Sequence, residues 1–215
     1  MIALAVDSGP RDGAIAVVRL DGSTCTAVAV AHWRRVQRNR EPRALVELWT
    51  AGDDVRELLA GPDDGGYTAS LLLTGTVQGM RVDASSVEAL VPHRDTSRAS
   101  LIALGESAGA AVQWVRMVTG TVPTRPTASQ WRVRVGVPLR PSSECASVAR
   151  ALVGHAGGQR RPVRVHSVPA SIAASDHAAD ALLMAELRAR EARSKAGAAG
   201  GWDAACMGWR AGHRR

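Results

Sequence analysis

The chain has 215 residues, enough for one domain with a sizeable core, and 46% of them are hydrophobic. There is no Phe and only one Tyr, so we expect a core of Ala, Val and Leu with six Trp as its large members. The formal net charge is +7, carried almost entirely by Arg, which favours a polyanionic partner because arginine binds phosphate in a bidentate manner. Enrichment in Arg together with Ala and Gly also fits a GC-rich genome. The charge alone therefore does not decide between a polyanionic partner and genome composition as its cause.

Cysteine usage and hydropathy exclude several classes of protein. Cys25, Cys145 and Cys206 are widely spaced, which argues against a structural zinc site and against a disulfide scaffold. No apolar run approaches the ~20 residues of a membrane span. The start of the chain, Met1–Leu4, carries no charged leader and predicts a strand. We therefore expect a cytoplasmic protein without a membrane segment.

The N-terminal part of the sequence predicts three antiparallel strands. An apolar run ends in Asp7-Ser8-Gly9, which indicates a buried strand followed by a tight turn, and Asp21-Gly22 predicts a hairpin turn further on. The predicted strands are residues 2–7, 13–20 and 25–33.

The middle of the chain mixes helical and extended patterns. Residues 42–60 show helical spacing of apolar side chains and predict a helix, followed by a loop at 61–66. Residues 69–82 fit either a strand or a helix, because Gly75 and Gly79 disturb the period. A strand is expected near 84–88.

The C-terminal half predicts mainly helices, the last of which has Ser175 or Asp176 as its N-cap. The predicted helices cover residues 98–118, 129–135, 142–154 and 175–192, with a short strand near 121–123. Small side chains on the first of these helices would allow close approach of a neighbouring element.

Composition divides the chain into a folded domain, residues 1–193, and a basic Gly/Ala-rich C-terminal tail, residues 194–215. From 188 to 215 there are seven Arg or Lys against two acids. Two interpretations of the tail stay open: a flexible solvated segment, or a basic segment that lies on DNA.

Four polar side chains are candidates for chemistry, although each has an ordinary explanation. An Asp before Ser-Gly, as at Asp7, is typical of a turn, and Glu88 alone would be a surface glutamate. His177 and Asp180 are three residues apart on the last predicted helix, so they share a face. Acids in a first helical turn are also favoured by the helix dipole, which applies to Asp176 as well.

Taken together, four segments resemble the RuvC family of Holliday-junction resolvases, and the resemblance extends from about Ile2 to about Leu187. The segments are Leu4–Pro10, Asp83–Glu88, Trp131-Arg132 shortly before Gly136-Val137, and Asp176–Leu183. The resemblance implies an α/β, ribonuclease-H-like mixed sheet, with three antiparallel strands followed by parallel strands, flanked by helices.

The same resemblance implies a Mg²⁺-dependent endonuclease that cleaves four-way or other branched DNA. Two Mg²⁺ ions, or Mn²⁺ as a substitute, would be held by the carboxylates of Asp7, Glu88 and Asp180. His177 stands where many members carry Asp and others carry His, and it could bind a metal, orient water or protonate the leaving group. Whether Asp176, displaced by one residue, binds metal, caps the helix or does neither stays open. A homodimer is implied, because symmetric cleavage of a junction needs two active sites; helix 98–118 is the expected interface.

Arginines between 123 and 165 are the expected DNA-binding residues, because this stretch has eight arginines and one acid, Glu144. The candidates for phosphate contacts are Arg132, Arg134, Arg140, Arg160 and Arg161. Trp131 has a simpler interpretation as a core anchor. The basic composition and the departures from the cellular pattern indicate a phage or prophage version.

Two alternatives remain at this stage. One is a ribonuclease-H-like DNA-binding or recombination module without catalysis. The other is an ATP-binding protein of the actin and sugar-kinase class, which shares the loop after Asp7. That class uses two such halves, and 215 residues barely hold one.

Overall fold

A computed structural model describes residues 1–91, 96–135 and 168–197. It contains a six-stranded mixed sheet in the order β5-β4-β3-β2-β1-β6. Strands β1 to β5 pair antiparallel with one another, and β6 pairs parallel with β1. The strands are β1 (Ile2–Asp7), β2 (Gly13–Asp21), β3 (Thr24–Arg38), β4 (Glu41–Thr50), β5 (Arg56–Ala60) and β6 (Ala84–Val87).

Helices cover both faces of the sheet, and each face has its own apolar core. Helix α5 packs on one face against β1 and β2, and α1 packs on the other against β3 and β4. Among the described residues, no helix is long and apolar enough to cross a membrane. The helices are α1 (Gly65–Val77), α2 (Arg98–Thr119), α3 (Ala128–Val135), α4 (Ala170–Ala173) and α5 (Asp176–Gly197).

The predicted α/β fold class, a mixed sheet that begins with antiparallel strands and is flanked by helices, is confirmed. Strands β1 to β3 form the expected antiparallel meander, and β6 is the expected parallel neighbour of β1. In the part of the chain described, β6 is the single parallel strand. The predicted strand near 121–123 is reduced to two isolated parallel bridges, Ser86–Thr124 and Ala89–Thr127.

The prediction of a helix over 42–60 is wrong, because this segment forms β4 and β5. Its apolar residues serve the two faces of the sheet: Val46 and Leu48 lie in one core and Trp49 in the other. Pairing with the long strand β3 decides the conformation, since strand preference depends more on cross-strand packing than on local pattern. The undecided segment around 69–82 begins as helix α1.

The remaining helix predictions hold where the chain is described. Helices α2, α3 and α5 match the predicted segments 98–118, 129–135 and 175–192 within a few residues. Helix α5 continues to Gly197, so the first residues of the predicted tail are helical. The predicted helix 142–154 and the rest of the tail lie outside the described residues.

Trp33 determines where α1 sits on the sheet. Its indole packs against Gly65 and Gly66 at the start of α1 and against Gly13 on β2. A Cβ added at Gly65 would lie 2.7 Å from Cδ1 of Trp33, whereas a Cβ at Gly75, on the same helix, would meet open space. The glycines at the helix start therefore allow close contact with a large buried side chain.

We expect Gly65→Ala to lower the free energy of unfolding by about 1–3 kcal/mol, because the added methyl group displaces Trp33. Gly75→Ala is the matched control. It should raise stability by about 0.5–1 kcal/mol, since alanine is the better helix former at a site with space. Urea unfolding of both variants measures this, and shifts in the same direction would contradict the close contact at Trp33.

Candidate active site

Asp7 and Glu88 lie side by side because their strands are parallel neighbours. Asp7 ends β1, and Glu88 immediately follows β6, whose register pairs Val6 with Val87. The backbone N–H of Glu88 donates to the carbonyl of Val6 at 2.9 Å. Both carboxyl groups are nearly inaccessible, with the residues 4% and 8% exposed. Two acids are thus buried at adjacent strand ends.

Helix α5 brings His177 and the third acid, Asp180, to the same place. Ser175 caps the helix, its hydroxyl accepting from the N–H of Ala178 at 3.3 Å, so the cap is Ser175 and not Asp176. Asp180 is 5% exposed. Nδ1 of His177 lies 2.6 Å from Oδ2 of Asp7, which joins the helix to the end of β1.

Helix α3 supplies two further polar contacts, both from residues that the sequence had singled out for other reasons. Trp131 is fully buried, as predicted for a core anchor, but its indole N–H also donates to Oε1 of Glu88 at 2.9 Å. Arg132 donates to Oδ2 of Asp180 at 2.6 Å, and its guanidinium lies 5.3 Å from the centre of the Trp131 ring. Adjacent residues of one short helix therefore hold two of the three acids.

Burial and neighbouring charges shift the proton affinities of Glu88 and His177. Burial, the charge and hydrogen bond of Asp7 and the charge of Asp180 together raise the pKa of Glu88 to about 8, against a lowering by the Trp131 hydrogen bond. Burial lowers the pKa of His177, but the hydrogen bond and charge of Asp7, with Asp180 also contributing, bring it to about 9. Glu88 binds a proton readily near neutral pH, and His177 keeps its positive charge.

A second buried pair, His32 and Glu47, lies in the same row of the sheet as Asp7. The register pairs Asp7 with Ala14, Ala14 with His32, and His32 with Glu47, so all four side chains share the face covered by α5. Nδ1 of His32 is 3.4 Å from Oε2 of Glu47. Burial lowers the pKa of His32, Glu47 opposes this, and His177 lowers it further. Sequence reasoning missed this pair, because the segment holding Glu47 had been predicted as a helix.

The predicted DNA-binding arginines are only partly described. The Arg132 side chain is 16% exposed and forms an ion pair with Asp180. Arg134 is 60% exposed and lies 2.6 Å from Oε1 of Glu191. Arg140, Arg160 and Arg161 lie outside the described residues. Asp176 is the half-buried first residue of α5, and its role as a ligand stays a prediction.

The site suits a divalent cation in its chemistry. Three carboxylates, from β1, the end of β6 and α5, act on one another electrostatically, and hard oxygen ligands are what Mg²⁺ prefers. In the described residues, however, no three His, Cys, Asp or Glu side chains form a ready-made metal cage. His177 contacts one oxygen of Asp7, and Arg132 contacts one oxygen of Asp180.

Comparison with known proteins gives similarity at the level of structure. No family model and no curated protein matches the chain. T. thermophilus RuvC in complex with a Holliday junction substrate is similar with a TM-score of 0.49 and 16% identity, over 92% of this chain and 97% of that chain. A Thermus thermophilus RuvC structure gives a TM-score of 0.48 and 17% identity over the same shares of the two chains.

The raised pKa of Glu88 predicts how stability changes with pH in the absence of metal. Its pKa is about 8 in the folded chain against an ordinary value of 4.5. The folded state therefore binds the proton more tightly, and this stabilisation, complete below the unfolded pKa, is lost as pH rises through about 8. Glu88→Gln removes the effect while keeping an acceptor for Trp131. We expect the variant to gain stability relative to the wild type as pH rises.

Urea unfolding in EDTA at about pH 5 and about pH 9 measures the difference. Glu106→Gln, at an exposed position of α2, controls for the amide itself. A stability gap between wild type and Glu88→Gln that stays constant over this range would contradict the assignment.

Proposed function

We propose that the protein is a Mg²⁺-dependent, structure-selective endonuclease that hydrolyses phosphodiester bonds in four-way or other branched DNA. The observation that carries the proposal is the burial of Asp7, Glu88 and Asp180 around one point. Burying like charges together is unfavourable unless a cation or a proton compensates them. Buried titratable groups with perturbed proton affinities cluster at functional sites, which supports a functional role for these acids.

Each neighbouring side chain has a place in that proposal. Asp7, Glu88 and Asp180 would hold the divalent ions, which supply charge for the attacking and leaving oxygens. Trp131 fixes one oxygen of Glu88 and thereby orients its carboxylate. The side chain of His177 is 41% exposed and reaches solvent at the edge of the site. It would donate a proton to the leaving oxygen of the DNA as a general acid. Arg132 would turn from Asp180 toward a bound phosphate.

The proposed assembly is a homodimer, because two cuts at related positions of a junction require two sites. Helix α2 is the proposed contact between copies. It exposes Leu101 and Ile102, at 38% and 53%, beside the small residues Gly105 and Gly109. Small residues allow two helix backbones to approach closely, and exposed aliphatic side chains gain from burial.

One observation favours a second candidate, a DNA-binding module without catalysis. His177 and Arg132 already neutralise two of the three acids, so the site is balanced without any metal ion. Mg²⁺ or Mn²⁺ would then leave thermal stability unchanged. Under the first proposal either ion raises the melting temperature of the wild type, because a ligand that binds only the folded state stabilises it, and Glu88→Gln abolishes the shift.

We expect Asp7→Asn, Glu88→Gln and Asp180→Asn each to abolish Mg²⁺-dependent nicking of a synthetic four-way junction. Binding to the junction should persist, since these changes remove charge stabilisation of the reaction and not phosphate contacts. The assay compares the junction with a linear duplex of the same sequence. Asp21→Asn, at the exposed last residue of β2, is the control and should cleave normally. Cleavage near the wild-type rate in all three site variants would rule out the carboxylate assignment.

His177→Ala should reduce the rate of cleavage by about 10²–10⁴-fold, the usual contribution of a positioned acid or base. Asp176→Ala is the neighbouring control. Because Ser175 supplies the cap, this change should cost only about 0.3–1 kcal/mol of stability through the helix dipole and leave cleavage intact. Rates are compared at equal folded fraction. Loss of cleavage in Asp176→Ala alone would make Asp176 the functional residue.

A further inference from the structure

The hairpin of β3 and β4 extends beyond the rest of the sheet. Strand β2 pairs with β3 only as far as Trp33, and β5 pairs with β4 only as far as Ala44. Past these points, in the described structure, the two strands pair only with each other. The turn uses Asn39 and Arg40, with φ of 52° and 67°, as a two-residue hairpin turn with right-handed twist requires. We name residues 34–43 the basic ribbon.

The basic ribbon carries a concentrated positive charge. Five arginines stand against the single acid Glu41, a formal net charge of 5 − 1 = +4 in ten residues. All five are exposed: Arg34, Arg35, Arg38, Arg40 and Arg43. Arg43 lies 2.7 Å from Glu41, with both side chains exposed, and such surface pairs contribute little. Val36 is the one half-buried residue of the basic ribbon, so the basic ribbon adds little to the core.

The basic ribbon begins beside the candidate active site. His32, two residues before the start of the ribbon, shares a row and a sheet face with Asp7, and alternation along β3 places Arg34 and Arg38 on that same face. At about 3.3 Å per residue, the seven residues from His32 to Asn39 span roughly 23 Å. The backbone N–H of Arg35 donates to Oδ1 of Asp12 at 2.9 Å, which ties the ribbon to the loop after β1.

We propose that the basic ribbon binds the phosphate backbone of the duplex arm of a DNA substrate, next to the bond held at the site. This inference rests on the proposed function for its substrate. An extended row of arginines matches a polyanion and exceeds the size of a single phosphate. A two-stranded β-ribbon also has the width that the major groove of duplex DNA admits. The DNA-binding arginines predicted from the sequence are different residues: Arg132 and Arg134 are on α3, and the others lie outside the described residues.

The test replaces three ribbon arginines together, as Arg35→Ala, Arg38→Ala and Arg40→Gly. Glycine is chosen at position 40 because a φ of 67° suits it.

The control removes the same charge from three exposed arginines away from Asp7, as Arg19→Ala, Arg81→Ala and Arg193→Ala. Arg19 lies opposite the start of β1, Arg81 precedes β6, and Arg193 is sixteen residues along α5 from His177. A third variant carries lysine at all three ribbon positions.

Binding to a linear duplex and to a four-way junction is measured in EDTA over a series of salt concentrations. The ribbon triple variant should flatten the salt slope by about one unit per lost phosphate contact and lose about tenfold or more in affinity. The control triple variant should keep the wild-type slope, and the lysine variant should recover most of it. Unfolding curves establish that each protein is folded.

Equal losses in the ribbon and control variants would reduce the effect to net charge and overturn the proposal, as would an unchanged slope in the ribbon variant. Weakened binding to an acidic polypeptide with undiminished binding to DNA would also overturn it. Because the assay requires no cleavage, it separates the two proposals. Inactive Asp7→Asn with wild-type binding by the ribbon variant refutes only the ribbon, whereas active Asp7→Asn with weakened binding by the ribbon variant refutes only the nuclease assignment.

Discussion

Burial of three carboxylates at one point is the constraint on which the rest of this structure depends. Each charge moved out of water costs several kcal/mol unless a partner compensates it, of order 10 kcal/mol or more for an unpaired group in a dry interior. In this fold each acid has a different polar partner. Asp7 has the imidazole of His177, Asp180 has the guanidinium of Arg132, and Glu88 has the indole of Trp131. Glu88 receives no cation, and its pKa is accordingly raised to about 8.

Small side chains make this arrangement possible. The face of α5 that meets the sheet is largely alanine. The residues of β1 and β2 beneath it also have small side chains. Buried alanines occur at positions 178, 179, 181, 185 and 189 of the helix and at 3, 5, 14 and 16 of the strands. Two smooth surfaces approach closely, so polar groups on the helix reach the end of β1 without long side chains. The absence of Phe is consistent with this contact, while Trp33 and Trp131 fill the larger spaces on either side of the sheet.

Strands β3 and β4 connect the candidate active site to the protein surface. The row from Asp7 through Ala14 to His32 and Glu47 keeps polar groups on the face that α5 covers. Arg34 follows His32 by two residues and lies 3.5 Å from the same carboxylate, Glu47. Of these contacts, the His32–Glu47 pair is the buried one, and a buried pair is weak evidence for added stability. Register, once set, therefore places the basic ribbon at a defined position relative to the three acids.

The sequence by itself determined the local features. The Asp-Ser-Gly turn after β1, the first meander and the helices α2, α3 and α5 follow from apolar period, turn residues and capping, which act over a few neighbouring residues. The acids and His177 were identified from motif order, and Trp131 from its size. Sequence could not identify β4 and β5, because a strand next to a long partner is stabilised by cross-strand contacts that no local window contains. The choice of Ser175 as cap, the bond from Trp131 to Glu88 and the pair of Arg132 with Asp180 were likewise decided by tertiary structure. Each joins residues brought together only when α3 and α5 pack on the sheet, where low dielectric and fixed geometry select partners that separation along the chain does not reveal.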